Sequence, residues 1–306
     1  MINKRQRIII TGGNGFIGTF ITEKLLANGY ENITVLDISH NQTISKVKNI
    51  LCDISDKKIL SEIIKKDDIV IHLACSCMPG ISEINIKKDI EEYLIGTIAL
   101  LDICTQKKIK KIIYLSSGGT VYGDKSKKSS KETDPTLPKN FYGSLKLSIE
   151  KYLEVYGYLY GLRYDILRLS NPYGRKNVST KPQGVIDIFL EKILKDKVIE
   201  LWGNGDIIRD YIHIDDVTDF IFQEINGDSP SGIYNLGTGK GATLNEIIST
   251  IEGVTGKKAR IKKLPLRKID IAHNVLDIQK ARATGWTPKI TLKKGIKDLY
   301  LKKNPN

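Results

Sequence analysis

The sequence predicts an α/β fold in which a doubly wound parallel sheet is followed by a smaller α/β lobe. Three observations predict it. Short apolar runs alternate with longer amphipathic ones through the first half of the chain. The first run ends in a glycine-rich turn that opens at once into a helical pattern. After Asn171 the alternation loosens, yet no long linker or internal repeat appears. Strands alternating with helices imply a parallel sheet covered on both faces. Such sheets bind ligands at the carboxyl ends of their strands.

The strands of the first half are expected at Arg7–Thr11, Ile33–Asp37, Asn49–Cys52, Ile69–Leu73, Lys111–Ser116 and Arg163–Arg168. The helices between them are expected at Gly15–Asn28, Lys57–Lys65, Ile84–Thr105 and Tyr142–Tyr160. Beyond Asn171 a helix near Gly184–Lys195 precedes a strand at Val198–Leu201. A strand at Arg209–Ile214, a helix near Val217–Glu224, a strand at Gly232–Leu236 and a helix at Leu244–Thr255 follow. The last stretch holds Gly256, Pro265, Gly285 and Pro288 and is expected to be loop-rich. This divides the chain into a dinucleotide-binding domain over residues 1–170, with a return segment at 207–235, and a substrate-binding lobe over 171–306.

A chain of 306 residues with 41% hydrophobic and 27% charged residues is long enough for a sizeable core and has an ordinary globular composition. Its net charge is +13. The lysines fall in scattered pairs, and the two densest stretches, 107–111 and 125–131, do not interleave with aromatics. Nucleic acid is therefore not the expected partner. The excess positive charge would instead favour an anionic small molecule. Cys52, Cys75, Cys77 and Cys104 form no CxxC pair and no zinc-type cluster with histidine, so no metal is expected and a reducing cytoplasm is. The apolar run at Ile8–Ile10 is too short for a signal-peptide core, and no run is long enough to cross a membrane. His72 and His213 lie inside strand patterns and read as structural; His40 and His273 have no partner in the sequence.

Three segments carry chemistry. Thr11-Gly12-Gly13-Asn14-Gly15-Phe16-Ile17-Gly18 joins the first strand to the first helix, the fingerprint of a Rossmann-type sheet. Glycines let the turn approach a pyrophosphate, which then meets the amides and positive dipole end of the helix. Gly12, Gly15, Phe16, Ile17 and Gly18 are thus candidate cofactor contacts. Asp37 closes the second strand, where a carboxylate receives ribose hydroxyls and repels a 2′-phosphate; this favours NAD over NADP. Tyr142-Gly143-Ser144-Leu145-Lys146 puts a phenol and an ammonium at i and i+4 on one helix face. A nearby ammonium lowers a tyrosine's pKa, so the phenolate can take a hydroxyl proton. The loop after Ser116 offers further hydroxyls at Ser117 and Thr120.

Together these segments resemble the extended short-chain dehydrogenase/reductase family. The group concerned is the NAD-dependent epimerase/dehydratases, which contains UDP-galactose 4-epimerase and related sugar-nucleotide enzymes. The resemblance covers nearly the whole chain: TGGNGFIG (11–18), CDIS (52–55), IHLA (71–74), GT (96–97), SSGGTVYG (116–123), YGSLK (142–146), LRLSNPYG (167–174), RDYIHIDD (209–216) and YNLGTG (234–239). It implies that Asp53 and Ile54 flank the adenine, that Leu73, Ala74 and Ser116 line the NAD groove, and that Pro172 lies beside the nicotinamide. It implies a catalytic set of Tyr142, Lys146 and a hydroxyl from Ser117 or Thr120. Asn171, Arg209 and Arg267 would hold a substrate diphosphate, with Asp270 near its ribose. Guanidinium groups match phosphate oxygens in this way; the other reading of Arg209 is an ion pair with Asp210 or Asp215.

The chain departs from the family's pattern in three places. Gly118 stands where the catalytic Ser/Thr is usual. Gly119 and Thr120 stand where sugar dehydratases carry Asp-Glu, which disfavours 4,6-dehydration. Tyr93 stands where asparagine is frequent, three residues before the GT pair. The first expectation is therefore a nucleotide-sugar 4-epimerase working through a transient 4-keto sugar. The second is a reductase of a nucleotide-linked 4-keto-6-deoxy sugar using NAD(P)H, and the third a non-catalytic NAD sensor, against which the Tyr142/Lys146 pair argues. A homodimer is expected, because the helices at 84–105 and 142–160 carry apolar residues on several faces, including Tyr152, Leu153 and Tyr156, and pair across a twofold axis in relatives.

Overall fold

The structure is a computed structural model. It describes residues 4–39, 44–76, 85–124, 128–175, 184–227, 229–265 and 271–303. In chain order the first elements are β1 (Ile8–Thr11), α1 (Phe16–Ala27), β2 (Ile33–Asp37), β3 (Lys48–Leu51), α2 (Lys57–Ile63), β4 (Ile69–His72) and α3 (Ile86–Asp89). A π-helical stretch (Ile90–Ile95) leads into α4 (Gly96–Lys107), β5 (Lys111–Ser117), α5 (Phe141–Tyr160) and β6 (Tyr164–Leu169). There follow β7 (Asn171–Tyr173), α6 (Val185–Leu194), β8 (Val198–Trp202), β9 (Ile208–His213), α7 (Ile214–Asn226) and β10 (Gly232–Leu236). The last are β11 (Gly241–Thr243), α8 (Leu244–Thr255), β12 (Arg260–Leu264), β13 (His273–Asn274), α9 (Gln279–Ala283) and α10 (Leu292–Lys303).

Seven strands form one sheet in the order β10-β6-β5-β4-β1-β2-β3. This is the doubly wound, Rossmann-type arrangement expected from the alternation of elements. β1 pairs in parallel with both β2 and β4, Ile8 lying opposite Ile33 on one side and Ile69 on the other. Ile8, Ile9 and Ile10 of β1 and Ile69, Val70 and Ile71 of β4 are all buried, as a parallel strand covered on both faces requires. The winding reverses between β1 and β4, and the carboxyl ends of these two strands form the crevice where such sheets bind ligands.

The chain divides into two compact units. The first comprises Met1–Val121, Pro138–Arg168 and Thr218–Tyr234; the second comprises Tyr122–Leu137, Leu169–Val217 and Asn235–Asn306. In the first, α5 is capped by Asn140, which accepts from the Gly143 amide. It is fastened to β6 by a buried ion pair, Arg168 to Glu150, at 2.7 Å. A second buried pair, Lys111 to Asp165 at 2.7 Å, joins β5 to β6. In the second unit β9 pairs with β7, β11 and β13, and β8 pairs with β12. Ile186, Leu190, Ile247, Ile251, Ile296 and Leu299 form its core, and a Thr243/Glu246 capping box starts α8.

Two expectations are corrected. The terminal stretch is less loop-rich than its glycines and prolines suggest, since β12 and the twelve-residue α10 lie within it. Only Gly295, Ile296 and Leu299 of α10 are buried, a stripe too thin among lysines to read as a period. Of the three apolar residues read as surplus on α5, Leu153 belongs to the core of the first unit. Tyr156 is half-buried and donates to Asp102 of α4. Tyr152 is exposed, together with Val155, Tyr158, Leu159 and Tyr160.

Candidate active site

The glycine turn after β1 is built by close approaches. Gly12 has φ +68°, a conformation that favours glycine, and a Cβ there would lie 2.6 Å from the Ala74 backbone nitrogen. A Cβ on Gly18 would lie 2.5 Å from Gly13 Cα, so only glycine lets α1 seat against the turn. Gly15 is the N-cap of α1 and provides no side-chain cap, which leaves the first-turn amides of the helix to another acceptor. Asp37, at the carboxyl end of β2, accepts from the amides of Asn14 and Ser39, each at 2.9 Å. Its carboxylate is thereby held at the lip of the turn.

Across β1, the Leu73 amide donates to Thr11 O at 3.1 Å and the Ala74 amide to Thr11 Oγ1 at 3.3 Å. The segment that would line a dinucleotide is thus pinned to the turn that would hold its phosphates. Asp53 is exposed and accepts from the Ser55 amide and hydroxyl, both at 2.8 Å. Ile54 is buried, and a Cβ on Gly96 would come within 2.9 Å of its Cγ1.

Tyr142 and Lys146 project from the first two turns of α5. The Lys146 side chain is buried, 4% exposed, and Tyr142 is half-buried. Lys146 Nζ lies 5.7 Å from the Tyr142 ring centroid. It donates to Tyr93 Oη at 2.6 Å and to the Leu115 carbonyl at 2.9 Å. It also sits over the rings of Tyr93 and Tyr114, at 4.9 and 5.1 Å. His72 is no bystander. Its Nδ1 contacts Thr11 Oγ1 at 2.7 Å and its Nε2 contacts Thr97 Oγ1 at 3.0 Å. Burial, and then the Lys146 charge, hold its pKa down at about 3, so the imidazole stays neutral.

The three hydroxyls after β5 have different surroundings. Ser116 is buried and donates to Glu150, so its side chain serves the Glu150–Arg168 pair. Ser117, the last residue of β5, is half-buried, and its carbonyl accepts from the amides of Thr120 and Val121. The Thr120 hydroxyl is buried with no hydrogen-bond partner among the described residues. It lies against the first turn of α5, where a Cβ on Gly143 would be 3.1 Å from Thr120 Cβ.

In the second unit, β7 and β9 bring Asn171 and Arg209 into one small sheet, Asn171 lying opposite Tyr211. Asn171 Nδ2 donates to the Asp210 carbonyl at 2.9 Å, and half-buried Arg209 donates to the Ile208 carbonyl at 2.9 Å. The buried Asp210 carboxylate accepts from Thr238 Oγ1 at 2.7 Å and from the amides of Thr238 and Gly239 at 2.8 and 3.1 Å. Pro172 lies on β7. Arg267 and Asp270 lie outside the described residues. Among the described residues no group of His, Cys, Asp and Glu could hold a metal ion, and no helix is long and apolar enough to cross a membrane.

A Rossmann-type sheet with a glycine turn, an acidic residue closing β2 and a tyrosine–lysine pair on α5 defines a class: the dinucleotide-dependent short-chain dehydrogenases and their relatives. Within that class, residues 8–237 match the NAD dependent epimerase/dehydratase family. A UDP-glucose 4-epimerase of Halalkalibacterium halodurans is 34% identical over 307 residues, covering 92% of this chain and 90% of that protein. The dTDP-4-dehydro-6-deoxyglucose reductase of Escherichia coli is also 34% identical, over 97% of each chain. The crystal structure of the Thermus thermophilus UDP-glucose 4-epimerase in complex with NAD superposes with a TM-score of 0.89 at 32% identity, covering 98% of this chain and 100% of that one. The chain belongs to the NAD-dependent epimerase/dehydratase family, and it is an NAD-dependent epimerase or a related oxidoreductase.

Proposed function

We propose that the protein is a nucleotide-sugar 4-epimerase. The observation that carries this reading is the buried Lys146 ammonium beside Tyr142, supported by the epimerases among its relatives. The first unit fits NAD. Gly12 and Gly18 let the turn pack closely on Ala74 and on Gly13, the start of α1 has no side-chain cap, and Asp37 stands where ribose hydroxyls would donate. NAD, when bound, supplies the group that takes hydride from the sugar C4 and returns it to the other face.

The chain's own residues do the rest. Tyr142 takes the proton of the 4-hydroxyl as its phenolate and gives it back to the 4-keto oxygen on return. Lys146 favours the phenolate by its charge. Ser117 donates a hydroxyl to the same substrate oxygen, since it is half-buried at the carboxyl end of β5 while Ser116 is bound to Glu150. Asn171 and Arg209 of the second unit, with Arg267, grip the diphosphate, and Asp270 the ribose; this unit is the substrate-binding lobe. We place the enzyme in the cytoplasm, where a diphosphate-linked sugar and the thiols of Cys52, Cys75 and Cys104 are both at home.

The test is incubation with UDP-, TDP-, GDP- and CDP-hexoses without added cofactor. Formation of a 4-epimer from any donor supports the reading. Consumption of NADH or NADPH with a 4-keto-6-deoxy donor, and no epimer from any hexose, replaces it with the reductase, the reading that the 34% identity to the Escherichia coli reductase favours. In whichever assay works, Tyr142→Phe should lower turnover by about 10²- to 10⁴-fold, the usual share of general acid–base catalysis. Wild-type rates in that variant would remove Tyr142 from the chemistry. We also propose a homodimer, with Tyr152, Val155, Tyr158 and Leu159 of α5 as the exposed apolar face it covers. Light scattering at micromolar concentration should give twice the chain mass, and a monomer mass refutes it.

A further inference from the structure

We propose that Tyr93, tied to Tyr114, is a positioning residue that holds the Lys146 ammonium beside Tyr142 without neutralising it. This rests on the reading of Tyr142 and Lys146 as the proton-handling pair.

A buried ammonium is costly. Its donors must find acceptors, or the charge is lost to desolvation. A carboxylate would serve, but it would also cancel the charge that has to favour the Tyr142 phenolate. The acceptors found for Lys146 among the described residues include two neutral ones, Tyr93 Oη at 2.6 Å and the Leu115 carbonyl at 2.9 Å. Tyr93 Oη is in turn 2.9 Å from Tyr114 Oη, so the acceptor is itself fixed. Both phenols are fully buried, and burial pushes each well above its usual titration range. They stay neutral wherever the enzyme works. The two ring faces add attraction for the cation, with Nζ at 4.9 and 5.1 Å from their centroids.

The groups around this pair leave the charge intact. From β4, His72 stacks on Tyr114 at 5.6 Å, lies 6.3 Å from Tyr93, and is neutral. Beyond β4, the Cys75 side chain acts on both phenols only to raise them further. From α5, Glu150 faces Tyr114, but its carboxylate is bound to Arg168 of β6 and to Ser116. Tyr142 is a further titratable neighbour. The backbone supports the same role. Tyr93 lies in the π-helical stretch between α3 and α4, a form that recurs at functional sites. Loss of its one extra residue would swing the Tyr93 side chain by about 100° around the helix, away from Lys146.

The test reads the phenolate directly. In NAD-loaded protein, ultraviolet absorbance of tyrosinate is titrated for the wild type and for Tyr142→Phe; the difference isolates Tyr142. The same pair is then compared in Tyr93→Phe, which keeps the ring, and in Tyr114→Phe. The expected wild-type midpoint is below about 10, the ordinary tyrosine value. Tyr93→Phe should raise it by about one pH unit, move the acid limb of the kcat–pH profile equally, and leave KM for the nucleotide sugar unchanged. Tyr114→Phe should move it the same way by less, and it decides the matter if Tyr93→Phe does not fold. A lowered melting temperature with an unmoved midpoint in both variants would mean a merely structural role and overturn the proposal. A wild-type Tyr142 that does not ionise below about 10 would sink the reading of the Tyr142–Lys146 pair itself.

Discussion

At the scale of single residues, the hydroxyl proposed to assist Tyr142 is a choice between Ser117 and Thr120, and burial separates them. A hydroxyl sealed away without a partner costs stability and cannot meet a substrate where it lies. Thr120→Val keeps the shape and removes that oxygen. It should leave turnover within about twofold and raise the urea midpoint by the equivalent of up to about 1 kcal/mol. Ser117→Ala should cost about tenfold or more in kcat, the usual worth of one hydrogen bond to a developing charge. If Thr120→Val is the more damaging of the two, the roles are exchanged. Ser116 shows the limit of reading a run of hydroxyls from sequence. The resemblance places it along the cofactor groove, yet from its place in β5 its hydroxyl donates to Glu150. What would remain for a cofactor at this position is its backbone.

At the scale of elements, α5 and β6 are held together by the buried Glu150–Arg168 pair, neither side chain more than 2% exposed. Breaking one side of such a pair strands the other charge. Arg168→Met should lower stability by about 3–5 kcal/mol in urea unfolding, and Glu150→Leu with Arg168→Met should recover a large part of it. If the single variant is near neutral, α5 is held by its apolar contacts alone. All seven strands of the large sheet were legible in the sequence, most clearly those buried on both faces, which are continuous apolar runs such as Ile8–Ile10. The Gly12–Gly18 turn and the Tyr142/Lys146 spacing were legible because their geometry is local. The π-helical stretch, the three-residue β7 and the lysine-rich α10 were not, being too short or too faintly patterned. Tyr93 stood out as a departure, but its partner Lys146 is 53 residues away, a contact only the fold creates.

At the scale of the whole molecule, stability should depend on pH through His72. Its imidazole has an ordinary value of 6.5 when unfolded and about 3 when folded. Below 6.5 the unfolded chain takes a proton that the folded one refuses, so stability falls as pH drops through that window. Above 6.5 both states are neutral and His72 contributes nothing. Between about pH 7 and about pH 5 the loss from this group should be about 2 kcal/mol. His72→Gln should flatten the urea midpoint over that range, and an unchanged slope would show that other groups govern the acid limb. The chain is threaded back and forth. It passes between the two compact units five times, so neither unit is the product of one continuous stretch of gene. A fragment cut after Arg168 would lack β10 and leave β6 as a raw border of the sheet, open to sticking to its own kind. Nor could a single recombination event exchange one whole unit and leave the other untouched. No one contiguous segment holds the whole of either unit and nothing of the other.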